Sequence, residues 1–304
     1  MSIKQNTIET PVGATLQALG LAGMARLSGR DAMAFAQGQF ANDLRPLGDG
    51  QWHWNLWLSP KGRVLALFAL LRLDAREWLA ILPDASPEWF AQELLRFRFR
   101  SKLEIVPLEG IFARGGFFAP AELGSDAQRE HAAIERGDDG QWRRIVFDLS
   151  GASPRTLVME SGAASLLDAA FDARWKLEDI AHGLPRLAPA QADAYTPQML
   201  GMERLHAFSV NKGCYPGQEI VARTHFLGKA KRSLLRLALS GPVEAGTPLK
   251  SREGANAEVV SIATDGERIE ALAVAPVDAA DASFHHAEAG IEATWLSLLE
   301  GLAR

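Results

Sequence analysis

Short apolar segments of two different periods follow one another along this chain. Residues 51–58 (QWHWNLWL) alternate, with apolar residues on one side and His53 and Asn55 on the other. This period of two predicts a half-buried strand. The Ser-Pro-Lys-Gly sequence at 59–62 then predicts a turn, and the apolar run from Val64 predicts the returning strand of a hairpin.

Helical spacing recurs in four further segments. They are residues 31–39, 88–99, 161–172 and 216–223. The second has the best start signal, because Ser86 can cap the helix and Pro87 fits its first position. The polar stretch 125–140 predicts a loop, and the alternation over 206–211 predicts a short strand.

The pattern changes after Lys231, where short apolar runs are separated by Gly, Pro and Asp. Several short strands at this spacing predict a small antiparallel barrel or sandwich. We therefore expect an α+β protein of two domains, residues 1–230 and 231–304.

Composition and charge narrow the class of protein. The chain of 304 residues is 47% hydrophobic and 23% charged, which is typical of a globular fold, and its net charge is −5. That balance gives no electrostatic reason to expect direct nucleic-acid binding. The N-terminal residues lack the apolar core of a signal peptide, and the longest apolar run, 64–71, is far short of the ~20 residues that span a bilayer. We expect a cytoplasmic protein without a membrane partner.

Cys214 is the only cysteine of the chain and lies in NKGCYPGQE, residues 211–219. It cannot form an internal disulfide or a Cys₄ metal site, and we predict no metal site. A thiol beside Lys212 and just before a predicted helix should have increased thiolate character. It could act as a nucleophile, a redox-sensitive thiol or one ligand of a metal or cluster, and the plain alternative is a small buried hydrophobe.

Basic residues are concentrated around this segment. Between Gly201 and Arg232 there are six basic residues and two acidic ones. The six are Arg204, Lys212, Arg223, Lys229, Lys231 and Arg232. Such a group suits an anionic ligand, a carboxylated cofactor among them, while a solvated surface is the alternative.

The motif Lys-Gly-Cys-Tyr-Pro-Gly-Gln-Glu resembles the signature of the folate-binding YgfZ family, which is related to the T-protein aminomethyltransferase of the glycine cleavage system. LSGRDAMAFAQGQFANDL at 27–44, LSPKGRVLALFAL at 58–70, RFRFRSKLEI at 96–105 and YTPQML at 195–200 are similar to other family segments. The resemblance extends over the whole chain and is weakest at 108–170 and at the C-terminal end.

The resemblance implies a fold of two interleaved ferredoxin-like sub-domains and a C-terminal antiparallel β-barrel around a folate pocket. It also implies tetrahydrofolate binding in support of iron–sulfur cluster assembly or repair, and through it of tRNA modification. The partners would be folate and iron–sulfur proteins or their assembly machinery.

Residue by residue, the signature gives Cys214 and Lys212 as the functional pair. The remaining signature positions are Gly213, Tyr215, Gly217, Gln218, Glu219 and Arg223. A folate-contacting tryptophan of the family matches Trp175, whose plain alternative is a core aromatic. Its indole could stack on a pterin.

Two positions depart from the family pattern. Ala22 stands where the family often has a tryptophan, and Ala181 stands where it often has a glutamate for the pterin. A pterin without a carboxylate partner would leave polar groups unpaired, so Asp179 is the candidate substitute.

Three functions remain open from the sequence. The first is a folate-dependent accessory protein without turnover, with Cys214 as its functional thiol. The second is an aminomethyltransferase-type enzyme, which needs a carboxylate placed near the folate, and no acid is assigned to that role. The third is a binding module that senses folate or redox state through Cys214.

Overall fold

The fold is described from a computed structural model of the chain. It covers residues 14–21, 23–163, 165–228, 230–279, 283–286 and 290–304. Ala22 and Lys229, both considered above, lie outside the described residues.

The first sheet contains five antiparallel strands in the spatial order β3-β4-β5-β2-β6. Its strands are β2 (Gly23–Ser28), β3 (Trp52–Leu58), β4 (Val64–Asp74), β5 (Glu77–Leu82) and β6 (Glu104–Leu108). Helices α1 (Ala32–Gln39) and α2 (Pro87–Leu95) contribute Phe35 and Phe90 to one core with this sheet. The hairpin expected at 51–71 forms as β3 and β4, joined at 59–63.

The second sheet also has five antiparallel strands, in the order β1-β7-β10-β9-β8. Its strands are β1 (Gln17–Ala18), β7 (Ile111–Gly116), β8 (Ala133–Arg136), β9 (Trp142–Asp148) and β10 (Thr156–Ser161). The chain leaves this sheet after β1, builds the whole first sheet, and returns with β7, which pairs with β1. The two sheets are therefore interleaved along the chain.

A closed barrel of six antiparallel strands follows, in the order β11-β14-β13-β12-β15-β16. Its strands are β11 (Arg232–Leu239), β12 (Pro248–Ser251), β13 (Asn256–Thr264), β14 (Ile269–Pro276), β15 (Phe284–His286) and β16 (Ile291–Leu296). Closure gives each of these six strands a hydrogen-bonded neighbour on both sides. Helices α3 (Ala169–Ala181) and α4 (Gln218–Phe226) connect the second sheet to it.

The α+β class with a C-terminal antiparallel barrel is thus confirmed. The division into domains at residue 230 stays a prediction, because Leu234 and Val260 of the barrel share a core cluster with Trp54 of the first sheet. No helix among the described residues is both long enough and apolar enough to cross a membrane.

Several predicted elements are wrong in extent or type. The helix expected at 161–172 is replaced by the end of β10 and a connection, and α3 begins at Ala169, where the Asp168 carboxylate accepts hydrogen bonds from two backbone amides. The helix expected to reach residue 99 ends at Leu95. Residues 206–211 form no strand, and 133–136 of the expected loop form β8.

The strand β3 departs from prediction in its burial. All seven of its residues are buried, including His53 and Asn55 on the side expected to face water. On that side Asn55 accepts a hydrogen bond from Asn42, in the loop after α1, and His53 lines a cleft with Ser209 and Asn211, beside the cysteine motif. His53 and Asn55 therefore belong to the candidate site described next.

Candidate functional site

Cys214 lies on an exposed turn just before α4. The helix begins at Gln218, two residues later than predicted, because Gly217 has a left-handed backbone conformation (φ 77°) and acts as its N-cap. Glu219 lies in the first turn of the helix and Arg223 in the last, both on the exposed side. The thiol therefore faces solvent from a short segment between Lys212 and the helix.

Lys212 is buried, with 4% of its surface exposed. Its ammonium group donates hydrogen bonds to the backbone carbonyls of Gln37 at 2.7 Å, Phe40 at 2.6 Å and Asn42 at 2.9 Å, at the C-terminal end of α1. The ammonium also lies 5.1 Å from the centre of the Tyr215 ring. Burial lowers the pKa of Lys212 to about 8. All three ammonium donors are thus used to hold the cysteine segment against α1, a role that the sequence did not suggest.

Gly217 holds the other end of the segment. A Cβ atom at this position would lie 2.5 Å from the Gly62 Cα and 2.5 Å from the Ser59 carbonyl oxygen. Gly62 also has a positive φ of 68° and lies against the α4 residue Ile220. The turn of the β3–β4 hairpin and the cysteine segment are therefore in direct backbone contact, which only glycine permits.

A buried polar cluster beneath the segment was missed in the sequence. The Asn42 side chain donates to the carbonyls of Trp54 at 2.9 Å and His206 at 2.6 Å, and the Asn55 side chain accepts from the Asn42 amide at 3.0 Å. Asn55 also lies 3.1 Å from the ring of His53. Burial, followed by the charge of Lys212, lowers the pKa of His53 to about 3, so this imidazole is neutral. The sequence offered one signal for this cluster: His53 and Asn55 lie two residues apart on the side of the strand that was predicted to be exposed.

The basic residues around the segment do not form one surface. Lys212 is buried, Arg204 donates to the Leu299 carbonyl at 2.8 Å, and Arg232 donates to the Val274 carbonyl at 2.7 Å. Arg223 and Lys231 are exposed. Four of the six residues counted in the sequence are thus accounted for otherwise: three bind inside the fold, and Lys229 lies outside its described part.

Trp175 and Asp179, the predicted folate contacts, lie one helical turn apart on α3 and are buried. They line a narrow cavity of about 30 Å³ between the two sheets. The Arg155 guanidinium lies 4.6 Å from the centre of the Trp175 ring and pairs with Asp179 at 2.7 Å. Arg186 pairs with the same carboxylate at 3.3 Å.

This arrangement does not fit a pterin beside Trp175. A volume of about 30 Å³ has room for only about two water molecules, the indole faces Arg155, and the Asp179 carboxylate already has two guanidinium partners. One Arg155 donor, Nη2, is buried without a hydrogen bond. One wall of the cavity is therefore polar, but its charged groups are paired with one another.

Two larger clefts adjoin this cavity. A cleft of about 560 Å³ shares Leu21, Pro83 and Arg186 with it and is also lined by Lys176 and by Ser261 of the barrel. On the other side, a cleft of about 790 Å³ is lined by residues of 209–211, beside the cysteine segment. Trp52 lines both this larger cleft and the narrow cavity. The structure thus places the cysteine segment and the Trp175 cluster at different clefts, with Trp52 between them.

Two interleaved sheets followed by a closed barrel are also the fold of a glycine cleavage system aminomethyltransferase. A solved structure of aminomethyltransferase T of the glycine cleavage system from Bartonella henselae superposes with a TM-score of 0.66, covering 94% of this chain and 85% of that one. The sequence identity is 16%, so the likeness establishes the fold. No family model matches the chain.

Sequence relatives identify the group more closely. The chain is 28% identical over 245 residues to the tRNA-modifying protein YgfZ of Colwellia psychrerythraea, covering 77% of this chain and 75% of the relative. It is 29% identical to the Vibrio vulnificus protein of that name, covering 74% and 70%, and 27% identical to the Shigella dysenteriae one, covering 83% and 81%. The resemblance to the YgfZ family is confirmed.

Proposed function

We propose that this protein is an accessory factor that supports tRNA modification through the assembly or repair of iron–sulfur enzymes, with Cys214 as its functional thiol. The similarity to proteins named tRNA-modifying protein YgfZ supports the general role. The observation that carries the assignment to Cys214 is its position: an exposed thiol on a segment fixed at one end by Lys212 and at the other by Gly217.

The construction of this segment favours action on a partner. A thiol displayed to solvent on a fixed backbone can bind a metal or attack an electrophile carried by another protein. Within the described residues, no group of three His, Cys, Asp or Glu side chains could hold a metal ion. A cluster in contact with Cys214 would therefore take its other ligands from the partner.

Tetrahydrofolate is the ligand that we propose for the cleft of about 560 Å³. Its cation Lys176 is partly exposed and pairs with Asp172 at 2.7 Å, which leaves further N–H donors of the ammonium for a carboxylate of a folate tail. Arg186, the second cation of the cleft, is already paired with Asp84 and Asp179. The buried Ser261 hydroxyl, which has no hydrogen bond, adds a polar partner on the barrel wall. The cavity beside Trp175 does not fit the pterin in this arrangement, so no chemical step is assigned to the folate.

The aminomethyltransferase alternative needs a carboxylate that is free to act as a base near the folate. The lining of the narrow cavity contains one carboxylate, Asp179, and both of its oxygens are engaged by guanidinium groups. The cleft proposed for folate is lined by Asp84, which is likewise paired with Arg186 at 2.7 Å. A carboxylate held in this way is a poor base for an amine, because its charge is already paired. We therefore propose a factor without turnover.

A complementation experiment tests the role of the thiol. In a strain that lacks the gene, Cys214→Ser and Cys214→Ala should fail to restore methylthiolated tRNA and iron–sulfur enzyme activity, while matched expression of the wild type restores both. Gly213→Ala is the control, because a Cβ there meets no atom within 4 Å. Full restoration by Cys214→Ala would overturn the proposal.

Folate binding is tested separately by quenching of tryptophan fluorescence. Tetrahydrofolate should quench the wild type, and Lys176→Gln should weaken binding several-fold because one cation of the cleft is lost. Lys250→Gln, at an exposed position of β12, should leave binding unchanged. Equal affinity of the wild type and Lys176→Gln would place the ligand elsewhere, and absence of quenching would remove folate from the proposal.

A further inference from the structure

The segment that follows α2 has an unusual surface. Residues 96–102 (RFRFRSK) carry four basic side chains and no acidic one, in a chain of net charge −5. Phe97 is 39% exposed and Phe99 is 88% exposed, between arginines that are all exposed. Large aromatic rings are normally buried, so two exposed rings alternating with cations indicate a contact surface.

The backbone of this segment is fixed. The Ser101 amide donates to the Arg98 carbonyl at 2.8 Å, and the Lys102 amide donates to the Asp31 carboxylate at 2.7 Å. Phe99 has a left-handed conformation with φ 44°, which is costly for a residue other than glycine. The fold therefore displays the Phe99 ring on an ordered turn, and little conformational entropy would be lost when it binds a partner.

The cations of this turn are available. Arg96 pairs with Glu93 at 2.5 Å. In the described part of the chain, the side chains of Arg98, Arg100 and Lys102 have neither a hydrogen bond nor an ion pair with the protein. Three unpaired positive charges on one turn favour an anionic partner, whatever the net charge of the whole chain.

The aromatic surface continues beside the turn. The Phe97 ring lies 6.3 Å from the Trp57 ring, and Trp57 lies 5.7 Å from the half-buried Trp89. Phe97 is thus supported from behind by packed indoles, while Phe99 stands free. Rings interleaved with arginines are the surface on which unpaired bases stack while their phosphates are neutralised.

We propose that residues 96–102 form a docking surface for single-stranded RNA, such as an exposed loop of tRNA. This inference rests on the proposed role in tRNA modification and adds direct contact with the RNA. An acidic peptide would use the cations but not the free Phe99 ring. A membrane would need a broader apolar face than two phenyl rings separated by arginines. Stacking and phosphate contacts are tolerant of base identity, so binding should depend on strand exposure rather than on sequence.

The experiment is an anisotropy titration with unmodified tRNA transcript, a short single-stranded RNA and a duplex RNA of equal length. The wild type should bind the tRNA and the single strand more tightly than the duplex. With three free cations, the logarithm of the affinity should fall with the logarithm of salt concentration with a slope of about −2, measured between about 50 and 200 mM.

Variants separate the two parts of the surface. Phe99→Ser should weaken binding about five- to a hundredfold at constant salt slope, because a stacked base is lost. Arg98→Ser with Arg100→Ser should make the slope shallower by roughly 1.4. Leu166→Ser and Arg252→Ser, at exposed positions elsewhere, should match the wild type.

The proposal is overturned if Phe99→Ser and the double variant Arg98→Ser with Arg100→Ser bind RNA as tightly as the wild type. It is also overturned if the wild type binds only duplex RNA, acidic peptide or anionic vesicles. Its failure is distinguishable from that of the proposed function. Cys214→Ala should retain full RNA binding, because the thiol is not part of this surface. If Cys214→Ala complements the deletion strain while Phe99→Ser loses RNA binding, the docking surface stands and the assigned role of the thiol fails.

Discussion

Gly217 and Gly62 are in backbone contact, and this contact joins the cysteine segment to the turn of the β3–β4 hairpin. A Cβ at Gly217 would lie 2.5 Å from the Gly62 Cα, and both residues have positive φ angles. The cysteine motif and the hairpin segment 58–70, both of which resemble YgfZ family segments, are thus parts of one structural unit. Lys212 completes it by binding the end of α1.

Gly217→Ala should lower the free energy of unfolding by about 2 kcal/mol or more. The added methyl group meets backbone atoms that cannot move aside, and the residue must also keep its left-handed conformation. Urea unfolding followed by circular dichroism measures the loss. Complementation by this variant should fall as well, since the backbone beside Cys214 must shift.

Two alanine controls separate the causes. Gly140→Ala has a similar φ of 76° but no neighbouring atom within 4 Å, so it should cost about 1 kcal/mol through strain alone. Gly213→Ala has neither positive φ nor a close neighbour and should be neutral. An equal loss for Gly217→Ala and Gly140→Ala would refute the close approach.

Lys212→Met should destabilise the protein by about 3 kcal/mol or more. Three carbonyl groups that accept from the ammonium lose their buried donor, and each unpaired group carries a desolvation cost. Lys61→Met, at an exposed lysine of the nearby turn, is the matched control and should change stability little. Unchanged stability of Lys212→Met, together with lost complementation, would favour a chemical role for the lysine instead.

His53 should make the protein sensitive to acid. Its pKa is lowered to about 3 in the folded state, against about 6.5 when unfolded. Above pH 6.5 the imidazole is neutral in both states. As the pH falls from 6.5 towards 3, the unfolded chain takes up a proton that the folded protein does not bind, so stability decreases by up to about 1.4 kcal/mol per pH unit.

The His53→Gln variant tests this assignment by measuring unfolding between pH 7 and pH 4. Glutamine is neutral throughout, so the stability of the variant should fall less steeply with acid than that of the wild type. Identical slopes would mean that other groups dominate the acid response.

Asp179→Asn should be among the most destabilising single changes, at about 3–5 kcal/mol. Arg155 would lose its carboxylate partner while remaining buried, and Arg186 would lose one of two. Asp139→Asn removes an exposed pair with Arg143 and should have little effect. Thermal unfolding of both variants measures the difference: the melting temperature should fall strongly for Asp179→Asn and little for Asp139→Asn. If Asp179→Asn is stable and loses only folate binding, the residue belongs to the ligand site.

Local pattern identified much of the fold. The β3–β4 hairpin, α2 with its Ser86 cap, and the barrel strands were predictable because period, turn residues and caps are local properties. Helix α3 was misplaced because the stretch before it also has helical spacing, and the Asp168 cap decides where the helix begins. The burial of His53 and Asn55 could not be predicted, because it arises from tertiary packing: Asn55 bonds to Asn42 of the loop after α1, and His53 lies at a cleft with residues 209–211.

For the candidate site, the sequence by itself determined that one cysteine lies in a glycine-rich segment before a helix, in a motif that resembles a known family. It could not decide what Lys212 binds, because the three carbonyl groups belong to α1 and the loop after it. Nor could it show that Arg155 lies over Trp175 and pairs with Asp179. Residue types and spacings are local, whereas burial and pairing arise only when distant segments pack together. Only the tertiary structure therefore shows that Lys212 is buried against the end of α1 while Cys214 is exposed.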